Sequence, residues 1–188
     1  MLKAIISKIG VWNAWLFMSV FLIQMLVILL SNRATRKRSH ISEEHRKNKR
    51  DKYTGAIANL VWLIALVYSI FLPLRIGTMW FSVGFVVFLI GVLVLSWSTY
   101  DFMTTPLNEI IQKGIYKYSR HPMYLATFLI CLAVGIAALS SLFILLSLLI
   151  MICFHYEAIL EEKCCLQEYG KLYKAYLDRV PRWIGIPR

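Results

Sequence analysis

Arg120-His121-Pro122-x-Tyr124 puts a guanidinium, an imidazole and a phenol around a proline within five residues. Proline favours the first turn of a helix, where its missing N–H costs nothing. The exposed N–H groups and partial positive charge of such a helix start, together with the Arg120 fork, suit a carboxylate. Downstream, Glu157 and Glu161 are spaced i, i+4 and share a helix face, and Glu162 follows. Two carboxylates there need a cation or a hydroxyl donor between them. Methyl donors carry a sulfonium, an amino group and ribose hydroxyls, and are one class of ligand that would suit these groups. Tyr116 and Tyr124 could turn ring faces to the sulfonium. His121 could bond or position polar atoms, or act as a base for an acceptor that must lose a proton. Each group also has a plain reading. Arg120 suits a topology signal, the tyrosines an interfacial aromatic belt (the better reading for Tyr118), and Glu161 and Glu162 a solvated helix end beside Lys163.

These clusters can meet only if the chain doubles back between them. From Met123 to Tyr156 no fully charged side chain occurs. Those 34 residues are too many for one membrane-crossing helix of about 20 and slightly few for two. The middle reads Gly-Ile-Ala-Ala-Leu-Ser-Ser over 135–141, small and hydroxyl residues that suit a tight turn. We read a helical hairpin over 123–156 turning near Ser140. It brings Arg120, His121 and Tyr124 beside His155, Glu157, Glu161 and Glu162.

Three more apolar runs precede the hairpin: Val11–Leu30, Ala56–Leu74 and Met79–Tyr100. Each is long enough to cross a bilayer core of roughly 30 Å as a helix. The first is too long, and lacks the small-residue site, for a cleaved signal peptide. The expectation is an all-α integral membrane protein of about five transmembrane helices. Residues 1–100 would supply three of them, with a basic loop at 31–55. Residues 101–188 would be a catalytic region with a cofactor-binding cytoplasmic segment.

Charge gives the orientation. Of 21 Lys and Arg residues, nine lie between Arg33 and Lys52, directly after an apolar run. Such juxtamembrane clusters set topology and attract anionic lipid. Five spans with the N-terminus outside place the basic segments together on the cytoplasmic side, with Lys3 and Lys8 mildly opposed. The excess of +11 therefore points to membrane lipids and not to nucleic acid. The stretch His40–Lys52 reads as a solvated helix or loop. The four cysteines make no metal spacing and no disulfide framework. No G-x-G-x-x-G, phosphate loop, G-x-S-x-G or H-E-x-x-H occurs, so any cofactor must be held by helices and their ends.

Two segments carry a family likeness: Gly114-Ile-Tyr116-x-x-x-Arg120-His-Pro-x-Tyr124, then Glu161-Glu162-x-x-x-Leu166-x-x-x-Gly170-x-x-Tyr173-x-x-Tyr176-x-x-x-Val180-Pro-Arg182. Over roughly residues 100–188 the chain resembles the isoprenylcysteine carboxyl methyltransferases. The likeness is shared with phospholipid N-methyltransferases and, more loosely, with membrane sterol reductases. It implies a pocket for S-adenosylmethionine, released as S-adenosylhomocysteine, at Tyr116, His121, Pro122, Met123, Tyr124, Glu161 and Glu162. By position, Asn108, Glu109, Ile110 and Ile111 align with cofactor contacts without matching in identity. Arg120, His121 and Glu157 are the catalytic candidates. Ala126 stands where many members have Gly. Glu157 stands where the prenyl-protein members carry an arginine for the substrate, which bears on the acceptor more than on the chemistry.

The implied activity is methylation of a lipid-tailed acceptor entering from the bilayer, first a prenylated cysteine carboxylate or similar acid. Phospholipid (ethanolamine) N-methylation is the alternative. A nicotinamide-dependent sterol or enone reductase fits less well, since Met123 replaces the Asn usual there. A non-enzymatic membrane adaptor would bind neither cofactor.

Overall fold

A computed structural model describes residues 10–31, Thr35 and 49–187, with side chains described from residue 51 onward in the second segment. Among these are six α-helices: α1 (Trp15–Leu30), α2 (Lys49–Phe71), α3 (Met79–Thr104), α4 (Pro122–Ala137), α5 (Ser141–Tyr169) and α6 (Lys171–Arg179). A 3₁₀ turn, Gly114–Lys117, lies between α3 and α4. Most of the basic loop at 31–55, including most of His40–Lys52, lies outside the described residues.

Three helices, α2, α3 and α5, are long and apolar enough to cross a membrane. The other two apolar helices are shorter, at 16 residues each. That is a rise of about 24 Å. The chain is thus a multi-pass membrane protein. Its outer helix faces carry exposed Leu22, Ile23, Leu60, Leu63, Val86, Leu93, Leu145 and Ile152, apolar surface that only lipid would solvate well.

The first run yields a shorter helix than its composition predicts, because its start has another partner. Ala14 N–H donates to Leu72 O (2.8 Å), Leu74 N–H to Trp12 O (3.1 Å) and Asn13 Nδ2 to Ile70 O (2.7 Å). Residues 12–14 therefore satisfy the end of α2 instead of extending α1. The second run shifts for a related reason. Its helix begins at Lys49 and ends at Phe71, ahead of Pro73, which cannot donate a helical hydrogen bond.

The hairpin forms as the sequence predicts. α4 ends at Ala137, Leu139 turns with φ 53°, and Ser140 caps α5 by accepting from Phe143 N–H (3.2 Å). Ser140 Oγ also lies 3.2 Å from Tyr68 Oη of α2. Arg75 N–H donates to Ala137 O, tying the α2–α3 connection to the same end of the bundle. The ends of α1, α3 and α5 and the start of α4 gather at the opposite end.

The closest helix pair is α3–α4, and glycine is the reason. A Cβ at Gly84 would lie 2.7 Å from the Ala137 backbone nitrogen, and one at Gly91 would lie 2.7 Å from Ile130 Cγ1. Small residues let membrane helices approach until their backbones pack. The core continues through Phe17 of α1, Leu95 of α3, Ile130 of α4 and Phe143 and Ile150 of α5.

Candidate active site

The site is assembled from the α3–α4 connection upward. Asp101, buried near the end of α3, accepts from Ile115 N–H (3.2 Å). Gly114, at φ 52°, passes so close that an added Cβ would fall 2.1 Å from Asp101 Oδ2. Only glycine fits there, which explains why the motif opens with one. The turn buries Tyr116, whose carbonyl accepts from the Tyr176 hydroxyl of α6 (2.7 Å). Pro122 is buried at the first turn of α4, with His121 as its N-cap.

Across the hairpin mouth α5 presents its acids. Tyr124 Oη donates to Glu161 Oε1 (2.6 Å), and its ring stacks with those of His121 and Phe154 at 5.6 and 4.5 Å. His121 is bracketed: Nε2 is 3.2 Å from Glu162 Oε1, and Nδ1 is 3.4 Å from Glu161 Oε2. Burial disfavours its charge, yet the hydrogen bonds and negative charges of Glu161 and Glu162 outweigh that and raise its pKa above the ordinary 6.5. When the ring is protonated both nitrogens donate, one to each carboxylate.

Glu162 is the hub. Arg182 binds it in a fork, Nε to Oε1 at 2.9 Å and an η nitrogen to Oε2 at 2.7 Å. Arg120 approaches Oε1 at 3.2 Å and donates to Leu177 O at 3.0 Å.

Beside this cluster opens a cavity of about 310 Å³, at the lower end of small-molecule site volumes. Glu109, Ile110 and Ile111 form one side, and Tyr116, Arg120, His121, Met123 and Tyr124 the next. From α5 come Glu161, Cys164, Cys165, Glu168 and Tyr169, and from α6 Tyr173 and Tyr176. Ile28 of α1 and Phe102 of α3 complete an apolar flank. Burial pushes the Tyr173 and Tyr176 phenols above their ordinary range, so both stay neutral.

The remaining sequence candidates lie off this wall. Asn108 is exposed on the same connection. Pro122 is buried behind the α4 start, and Glu162 stands behind His121. Glu157 is buried one turn before Glu161 on α5. His155 meets the tail, its ring 6.1 Å from that of Trp183. Two expectations change. The group between paired carboxylates is the His121 imidazole, and the pair is Glu161 with Glu162 instead of Glu157 with Glu161. The two η nitrogens of Arg120 are occupied, one by Glu162 and one by Leu177 O, and the Tyr124 ring by its two stacking partners, so only Nε of the guanidinium is left for a ligand.

Phe102, Glu168, Tyr169, Tyr173 and Tyr176 escaped the sequence reading as site residues. Tyr173 and Tyr176 stood in the motif with spacing that puts both on one face of a short helix. Ile28 had no signal, because its place depends on how α1 packs.

The donor set fits S-adenosylmethionine. Three carboxylates and several tyrosines suit cationic and hydroxyl groups. Arg120 lines the cavity, and its buried Nε, without an acceptor among the described residues, suits a carboxylate.

The profile of the phospholipid methyltransferase family matches residues 72–172. No curated protein matches the chain. The matched stretch includes the α3–α4 connection, the hairpin and the Glu161–Glu162 pair. Family members use S-adenosylmethionine, and this membrane chain belongs to the phospholipid methyltransferase family.

Proposed function

We propose that this chain methylates the amine headgroup of a membrane lipid, at a cavity on the cytoplasmic side of the bilayer. One observation carries the choice of acceptor. The cavity wall holds Glu109, Glu161 and Glu168 and no lysine, and its arginine is already paired with Glu162. Acidic side chains thus outnumber basic ones on this wall, which favours an ammonium over a carboxylate as the acceptor.

S-adenosylmethionine, when bound, supplies an electrophilic methyl on a cationic sulfur. The chain's residues do the rest by proximity and alignment. Glu109, Glu161 and Glu168 hold positive groups, and Tyr124 fixes the Glu161 carboxylate through its hydroxyl. The neutral phenols of Tyr173 and Tyr176 close the far side of the cavity, with the Tyr176 hydroxyl committed to the Tyr116 carbonyl. An amine attacks only after losing its proton, and Glu161, on the cavity wall, is the carboxylate placed to receive it. Ile28 and Phe102 form the apolar flank along which a lipid tail enters.

A second reading, carboxyl methylation of a prenylated cysteine or similar acid, is favoured by the run of motif residues from Arg120 to Arg182. Glu157, in place of a substrate arginine, weighs against it. The test is to supply protein in vesicles with labelled donor and either phosphatidylethanolamine or farnesylcysteine. Label in methylated headgroups supports the amine reading. Label in a methyl ester of farnesylcysteine, released as volatile methanol on base hydrolysis, transfers the assignment to the carboxylate, and no label in either overturns both.

A further inference from the structure

The segment after α6 doubles back across the hairpin mouth. Arg120 N–H donates to Pro181 O (3.1 Å), Ser119 Oγ to Arg182 O (3.2 Å) and Gly185 N–H to Tyr118 O (3.0 Å). Trp183 lies 6.3 Å from the His121 ring and 6.1 Å from that of His155. These bonds fix the backbone on both sides of Arg182, and its side chain reaches inward to Glu162. Neither Arg182 nor Glu162 lines the cavity. Both groups that Glu162 holds besides Arg182, namely Arg120 and His121, do line it.

We propose that Arg182 is a positioning residue: by gripping both oxygens of Glu162 it sets the carboxylate that aims Arg120 and His121 at the cavity, without itself touching a ligand. The geometry behind this is specific. Glu162 Oε1 is shared by three cationic groups, at 2.9 Å from Arg182, 3.2 Å from Arg120 and 3.2 Å from His121. A single oxygen can serve all three only if the carboxylate plane is fixed. The fork of Arg182 fixes it, because two parallel bonds leave no rotation about the carboxyl axis. Without it, Glu162 can turn toward either remaining partner, and the other loses its aim. A lysine would keep the charge but not the fork.

The proposal also fixes how His121 titrates. Facing its ring are Glu161 and Glu162 from α5, Arg120 beside it in the chain, Tyr124 on α4, and Arg182 and Trp183 from the tail. Tyr173 of α6 stands near Glu162 and is neutral. Arg182 competes with His121 for the same carboxylate oxygen. Removing its charge therefore leaves Glu162 freer to hold the imidazolium, and the His121 midpoint moves to higher pH.

The inference rests on reading the cavity as the methyl-donor site, and the experiment separates the two claims. S-adenosylhomocysteine binding is measured by calorimetry on the full chain in detergent for wild type, Arg182→Gln and Arg182→Lys. The His121 midpoint is followed by NMR on histidine-labelled protein, with the His121→Gln spectrum assigning the signal. The expected result for Arg182→Gln is binding weakened about 10- to 100-fold, as for a displaced site group, with the His121 midpoint raised. For Arg182→Lys the midpoint stays near wild type and binding is intermediate. The proposal is overturned if both variants bind as wild type does, or if both lose binding equally with the midpoint unmoved, the signature of a merely detached tail. If wild type binds no donor product, the reading of the cavity fails, while the midpoints still decide the role of Arg182.

Discussion

Between α3 and α4, Gly84 and Gly91 offer bare backbone to Ala137 and Ile130, and the helices close until no side chain fits between them. At the other junction, where α4 meets the end of α5, Glu162 draws in Arg120, His121 and Arg182, two guanidiniums and an imidazole, all at least half-buried. The seam holds by what is missing, and the cluster by what is compensated. Dispersion and close packing act in the seam without preferred direction. Charge pairing in the cluster sets the angle of each side chain and fails if one member is lost. The seam therefore fixes where the hairpin stands, and the cluster fixes where its chemistry points.

The sharpest way to break the comparison is Glu162→Ala. It leaves Arg120 and His121, mostly buried, and the half-buried Arg182 without their shared partner, and unfolding free energy should fall by about 3 kcal/mol. Thermal melting in detergent measures this, and a fall below 1 kcal/mol would show that the cluster is not held by Glu162. The seam should respond less. Gly84→Ala sets a methyl against the Ala137 backbone and should cost about 1–3 kcal/mol by overpacking. The fraction that remains folded should bind donor product with wild-type affinity. A loss of affinity larger than the loss of stability would mean that the two regions are not separable.

Glu161→Gln sharpens the contrast from the site side. Its neighbours Tyr124 and His121 keep a hydrogen-bond acceptor but lose a charge. Stability should hardly move, while donor-product affinity falls about tenfold, as expected for one charged hydrogen bond. The smallest effect is a pH dependence. The folded state raises the His121 pKa, so its stabilisation is complete below the unfolded value of about 6.5 and is lost as pH rises through the folded value. Wild type should therefore lose stability with rising pH over that window, and His121→Gln should show no such step. Equal slopes in the two proteins would mean that His121 is not the titrating group.

Much of this was legible in the residues. An apolar run of 34, with small and hydroxyl residues at its middle, announced a hairpin, and the turn falls at Leu139–Ser140. Pro122 marked the start of α4. What the sequence could not show was rotation about the axis of α5. Each residue turns a helix face by about 100°, so whether Glu157 or Glu162 meets His121 depends on packing that the i, i+4 rule does not contain. The same holds for Ile28, which reaches the cavity only because α1 packs beside α3, where Gln24 Nε2 donates to Thr99 Oγ1 (3.1 Å). The pairing of residues 12–14 with the end of α2 was equally hidden, because an uncharged run looks the same as helix or as extended chain. The role of Gly114 could be suspected from the motif, but its reason, Asp101 pressed against it, needed the three-dimensional arrangement.

The account stands most directly on whether the hairpin mouth binds a methyl donor. Calorimetry of S-adenosylhomocysteine with the purified chain in detergent, wild type beside Glu161→Gln, measures it. The account predicts saturable one-to-one binding in wild type, weakened about tenfold in the variant. Binding of equal strength in both, or none in a folded wild type, would contradict it.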